Sequence, residues 1–78
     1  MPSPMTAGPS LSLVIPVYNA ADQLPATLAA VDAFAARYPD SIEIVFVDDH
    51  STDVETQRLL EGYARRRPYA RVLRNSTN

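Results

Sequence analysis

The sequence predicts an α/β fold: a Rossmann-like β-α-β-α-β unit built on a parallel sheet. Three observations carry that expectation. Leu11 to Pro16 and Ile42 to Val47 are almost continuously apolar and rich in β-branched residues, the pattern of strands covered on both faces of a parallel sheet. The stretches that follow them place apolar residues three and four apart, as amphipathic helices do. Apolar strands alternating with such helices imply right-handed crossovers between parallel strands.

The elements follow in order. Met1 to Ser10 holds three of the seven prolines and one of the two glycines, and reads as a flexible leader. The domain then runs from Leu11 to Asn78. The first strand ends at Pro16, because proline has no N–H to give to a ladder. The first helix is expected over Asp22 to Tyr38, with Leu24, Leu28, Val31, Phe34, Ala35 and Tyr38 as its apolar stripe. Asp22 is its candidate N-cap, and Pro25 falls in the first turn, where a missing N–H costs little. Pro39-Asp40 breaks it. Asp48-Asp49-His50-Ser51 directly follows the second strand. The second helix begins near Asp53, where Thr52 and Glu55 have the spacing of a capping box. Thr56, Leu59, Leu60, Tyr63 and Ala64 form its buried face. Arg65, Arg66 and Arg67 read as a solvated end that suits the negative pole of the helix dipole. Pro68 stops the helix. Ala70 to Leu73 is the third strand, and Arg74 to Asn78 a polar exit.

The chain has 78 residues, enough for one small domain. Its basic residues are all arginine, and the net charge is −2. That balance offers no pull toward nucleic acid or an anionic membrane. With no cysteine there is no thiolate nucleophile, disulfide scaffold or Cys-ligated zinc. The start lacks a signal-peptide pattern, and no apolar run spans a bilayer. Membrane association is not evident, and the expected location is cytoplasmic, or at the inner face of the membrane.

In such folds ligands bind beyond the carboxyl ends of the strands. The residues there are Pro16 to Asn19, Asp48 to Ser51 and Asn75 to Asn78. The only glycines are Gly8 and Gly62, so neither a G-x-G-x-x-G turn nor a Walker A loop is present. A nucleotide would therefore be held by side chains and non-glycine backbone. A tyrosine ring packs on a planar base, and a carboxylate accepts from a base N–H. The candidate nucleotide-binding residues are Pro16, Val17, Tyr18, Asp48 and Asp49, with Pro16 and Val17 offering backbone groups to the base edge.

Val14-Ile15-Pro16-Val17-Tyr18-Asn19, a helix, and then Glu43-Ile44-Val45-Phe46-Val47-Asp48-Asp49-His50-Ser51-Thr52-Asp53 resemble the start of the family 2 glycosyltransferases. The resemblance covers Leu11 to Asn78. It implies the first half of a GT-A domain and transfer of a sugar from a nucleotide-diphospho-sugar to an acceptor hydroxyl, as in cell-wall or polysaccharide biosynthesis. By position it makes Pro16 and Tyr18 lining of the base pocket, and Asp49 the carboxylate that bonds uracil or thymine. Asp48 matches a residue that braces the loop, and Asn19 a turn and helix-entry residue. His50 stands where the family has a small residue or Asn, and reads as a turn residue at a position needing positive φ. The resemblance also implies a divalent cation, magnesium or manganese, held by a later acidic motif, and a catalytic base later still. No catalytic or metal-binding residue is assigned within this chain. The remainder of the GT-A domain is the expected partner, and the chain alone is expected to be poorly stable and catalytically silent. Two rivals stand beside this reading. Val45 to His50 also resembles the first strand of a response-regulator receiver domain, although Leu11 to Tyr38 would then be surplus. A non-catalytic fragment is the other.

Overall fold

The computed structural model describes residues 11–38 and 41–75. The expected leader, the Pro39-Asp40 break and Ser76 to Asn78 lie outside the described residues. The elements are β1 (Leu11–Val17), α1 (Leu24–Ala35), β2 (Ile42–Asp49), α2 (Val54–Arg66) and β3 (Ala70–Asn75). The three strands are parallel in the order β1-β2-β3, as the alternating pattern predicts.

Proline does not end the first strand. Pro16 pairs in register with Val47, and Val17 with Asp48. Leu11 gives its N–H to the Ser41 carbonyl, so alternation along the strand turns the nitrogens of Ser12, Val14 and Pro16 away from β2. Pro16 lies on an edge strand with its nitrogen outward, where no ladder bond is lost. β3 is also longer than expected, because Arg74 and Asn75 continue the ladder against Asp48 and Asp49.

The sheet is covered on one face, not on both as the apolar runs suggest. Two right-handed crossovers stepping in the same direction bring both helices to the same side. On that side Val17, Ile42, Ile44, Phe46 and Ala70 pack with Leu24, Val31 and Ala35 of α1 and Leu60 and Tyr63 of α2. Phe46 is fully buried and meets the Tyr63 ring edge-on at 5.6 Å. Among the described residues nothing covers the other face, where Val14 and Leu73 are exposed. There Glu43 accepts from Ser12 Oγ at 2.9 Å and pairs with Arg71 at 3.5 Å.

The helix termini depart from the sequence expectation. At α1, Gln23 is the N-cap and makes no side-chain cap. The Ala20 carbonyl accepts from both Gln23 N and Leu24 N at 2.9 Å, and Asp22 is left exposed. The helix closes at Ala35 through tight turns from Arg37 N to Phe34 O and Tyr38 N to Ala35 O, three residues short of Tyr38. At α2 the cap is Asp53, whose carboxylate accepts from Glu55 N at 3.0 Å and from the Thr56 hydroxyl at 3.0 Å. Thr52 is not part of a capping box.

Arg67 is not a solvated helix end, although Arg65 and Arg66 are exposed. It lies over the Tyr63 ring at 4.1 Å and gives two hydrogen bonds to Asp32. Asp32 also accepts from Tyr63 Oη at 2.7 Å and Tyr69 Oη at 3.1 Å. The Arg67 guanidinium, then the Tyr63 hydroxyl, hold the Asp32 carboxyl well below the usual carboxylate range, against the opposing effect of burial. Burial, and then Tyr69 and Asp32, push the Tyr63 phenol up. This cluster ties α1 to α2 and to the start of β3.

Candidate functional site

Neighbouring strands β1 and β2 end together, since their ladder closes at Val17 and Asp48. Each chain then turns through a left-handed residue, Asn19 at φ 43° and His50 at φ 62°. Asparagine and histidine are among the non-glycine residues that adopt this conformation most readily. The positive φ expected at His50 is present. Its backbone N–H returns to the Asp48 carbonyl at 3.0 Å, and its Nδ1 is buried without a hydrogen-bond partner.

The two loops are laced together. Asn19 N donates to Ser51 Oγ at 2.9 Å. Asn19 Oδ1 accepts from Thr52 N and Asp53 N, both at 3.0 Å, which fixes the amide orientation because only the oxygen can accept. Ala20 N donates to Thr56 Oγ1 at 3.0 Å. The partners stand 32 to 36 residues apart in sequence.

The two aspartates point to opposite faces of the sheet, as successive strand residues must. Asp48 is 1% exposed. Its Oδ1 accepts from Ser51 N at 3.1 Å, and its Oδ2 from Arg74 Nη1 at 2.7 Å. Arg74 Nη2 then reaches the Ser51 carbonyl at 2.9 Å, where Gln57 Nε2 also donates at 3.1 Å. Asp49 is exposed, and Asn75 Nδ2 approaches it at a weak 3.4 Å. Tyr18 is 59% exposed, and Pro16 is exposed too. The structure thus brings Pro16, Val17, Tyr18, Asp48 and Asp49 to one end of the sheet. It leaves Tyr18 and Asp49 open while Asp48 faces inward.

Ser51 lies in the strand-end segment read from sequence, whereas Arg74 and Thr56 were not singled out for this site. The alternation that buries Ala70 and half-buries Val72 was the available signal for Arg74, since it puts that residue on the face of Asp48. Among the described residues no group of three or more His, Asp or Glu could hold a metal ion. Asp48 and Asp49 cannot chelate together across the sheet. A groove lined by Asp32, Glu55, Arg58 and Arg67 lies between the helices, but its ion pairs are internally satisfied.

Residues 12–78 match the family described as Glycosyl transferase family 2. An undecaprenyl-phosphate 4-deoxy-4-formamido-L-arabinose transferase of Pseudomonas fluorescens is 45% identical over 52 residues, covering 67% of this chain and 15% of that protein. The same-named protein of Klebsiella pneumoniae is 43% identical over 52 residues, covering 67% and 16%. An uncharacterized protein of Sinorhizobium fredii, y4gI, is 35% identical over 71 residues, covering 91% of this chain and 8% of that one. The chain therefore spans about 15% of the length of the transferases it matches. No solved structure matches. Nothing favours the receiver-like alternative, since β1 pairs with β2 along all seven of its residues and belongs to the same sheet. By its paired strand-end motifs, its fold and its match over residues 12–78, the chain belongs to glycosyltransferase family 2.

Proposed function

We propose that this chain forms the base-recognition part of a donor site for nucleotide-diphospho-sugars, in an enzyme that passes the sugar to an acceptor hydroxyl. The observation that carries the reading is the pair of open groups on adjacent strand ends, the Tyr18 ring and the Asp49 carboxylate. The ring packs on a planar base. The carboxylate accepts from a base N–H, a bond strengthened by its charge. Pro16 offers its outward backbone carbonyl to the base edge, and Val17, buried in the core and paired with Asp48, supports it from behind. Asp48 contributes by shaping the loop, because both its oxygens are engaged by Ser51 and Arg74.

Transfer in this class is displacement at the anomeric carbon, with a divalent cation neutralising the leaving diphosphate. Asp48 and Asp49 do not fit that cation, so the present residues bind and orient the base only. The fuller assignment adds the remainder of a GT-A domain as partner, in keeping with the small share of the named transferases that this chain spans, and a place at the cytoplasmic face of the membrane. No helix among the described residues is long and apolar enough to cross a membrane.

The test is an NMR titration of the isotopically labelled chain with UDP, dTDP and GDP. The pyrimidine nucleotides are expected to move Tyr18, Asp49 and His50 at lower concentration than GDP. A folded sample that responds to none of the three would sink the assignment.

A further inference from the structure

We infer that Asn19 is a positioning residue for base recognition: from the first loop it holds the start of α2, and so sets Tyr18 relative to Asp49. The inference rests on the base-site reading above.

The ladder between β1 and β2 ends at Val17 and Asp48, one residue before Tyr18 and one before Asp49. Past that point Tyr18 leaves the ladder, whereas Asp49 stays in β2 opposite Asn75 of β3. Packing holds the ring only loosely, since Tyr18 is 59% exposed. What fixes Tyr18 against Asp49 is therefore the hold on the next residue, Asn19, and its partners. Asn19 N is bound by Ser51 Oγ, and Asn19 Oδ1 binds Thr52 N and Asp53 N. Those two N–H groups precede the first turn of α2 and have no partner within the helix. A single side chain therefore satisfies the helix entry and joins the loops.

The left-handed backbone at Asn19 belongs to the same device. It turns the chain sharply after Tyr18, so the ring stays outside while the next amide faces Ser51. Strain at such a position persists only where neighbours hold it, and here the Ser51, Thr52 and Asp53 bonds do so.

The decisive comparison is Asn19→Gly against Asn19→Asp in the full chain. Glycine tolerates the left-handed conformation but deletes the acceptor. Aspartate tolerates the conformation and keeps an oxygen for Thr52 and Asp53. UDP affinity, amide hydrogen exchange at Thr52 and Asp53, and the thermal midpoint are measured for each. Asn19→Gly is expected to weaken UDP binding by about tenfold and to speed exchange at both amides. Asn19→Asp is expected to bind UDP more tightly than Asn19→Gly, with slow exchange restored. Repulsion between its carboxylate and the diphosphate works against this rescue, so charge cannot produce it. Should Asn19→Gly fail to fold, Ser51→Ala removes the Asn19 N acceptor alone and is expected to weaken UDP in the same direction. Unchanged UDP affinity in Asn19→Gly, or equal losses in both Asn19 variants, overturns the inference. If the unaltered chain binds no UDP, the base-site reading fails first and this inference falls with it.

Discussion

Replacing Asp48 and Asp49 separately by asparagine is expected to split two adjacent carboxylates into two jobs. Asp48 is 1% exposed, and its partners are Ser51 N and Arg74 Nη1. Asparagine keeps an oxygen for Ser51 but sets an amide or a weaker acceptor against Arg74. A guanidinium stranded in a dry interior would cost about 3–5 kcal/mol. The Arg74 side chain is 39% exposed, so water reaches its open side. The loss should be nearer that of one hydrogen bond to a charged group, about 1.5–3 kcal/mol. At roughly 0.05–0.15 kcal/mol per residue, a chain of this length has only about 4–12 kcal/mol to lose. Urea unfolding followed by circular dichroism should therefore show a clear fall in midpoint with an unchanged slope. Asp49→Asn touches only the weak 3.4 Å contact from Asn75, and should shift stability by no more than about 0.5 kcal/mol. Its UDP affinity should instead drop by about tenfold, the worth of one charge-assisted bond. The division of labour is refuted if Asp49→Asn destabilises as much as Asp48→Asn. It is equally refuted if Asp48→Asn keeps full stability and loses UDP.

The Asp32 cluster gives a pH prediction. Because Arg67 and the tyrosines depress the Asp32 carboxyl, its contribution is fully present above the ordinary unfolded value, about 3.9, and is lost as pH falls toward the depressed folded value. Thermal midpoints from neutral to strongly acidic pH should show Asp32→Asn less stable at neutrality and less sensitive to acid than the unaltered chain; parallel curves would contradict this. Phe46→Ala removes a fully buried ring that meets Tyr63 at 5.6 Å, at a cost of about 3–5 kcal/mol. Urea unfolding is the check, and a loss below about 1 kcal/mol would place the core elsewhere.

The strands were legible because burial demands apolar runs and the sequence supplies them at Leu11 and Ile42. The helices were legible from spacing, and Leu24, Val31, Ala35, Leu60 and Tyr63 are buried as that spacing requires. What local sequence could not show was competition for backbone groups. Asp22 looked like a cap, yet the Ala20 carbonyl takes the N–H groups of Gln23 and Leu24. Thr52 looked like the start of a capping box, yet its own N–H goes to Asn19, 33 residues away. Arg67 and Arg74 looked like solvated charges, and each finds a carboxylate 35 and 26 residues distant. The strand ends could be read as a site from topology, because β-α-β units expose those ends. The lacing between the loops could not, since it depends on two left-handed turns facing each other.

The two polar clusters act on the same helix from opposite ends. Asp32 with Tyr63, Arg67 and Tyr69 anchors the end of α2. Asn19, Ser51 and Thr56 anchor its beginning. Between them Leu60 and Tyr63 press on Phe46 and the sheet. The loop that follows Asp49 runs directly into α2, so its rigidity is inherited from a helix fixed at both ends. Damage to the Asp32 end loosens the whole unit and should cost stability first. Damage at the Asn19 end leaves the core contacts intact and changes how Tyr18 and Asp49 face each other. Preorganised groups at a binding site avoid the ordering cost that a mobile loop would incur on meeting its ligand. In a chain this small, with one face of its sheet uncovered among the described residues, that preorganisation rests on these two clusters more than on the bulk of the core.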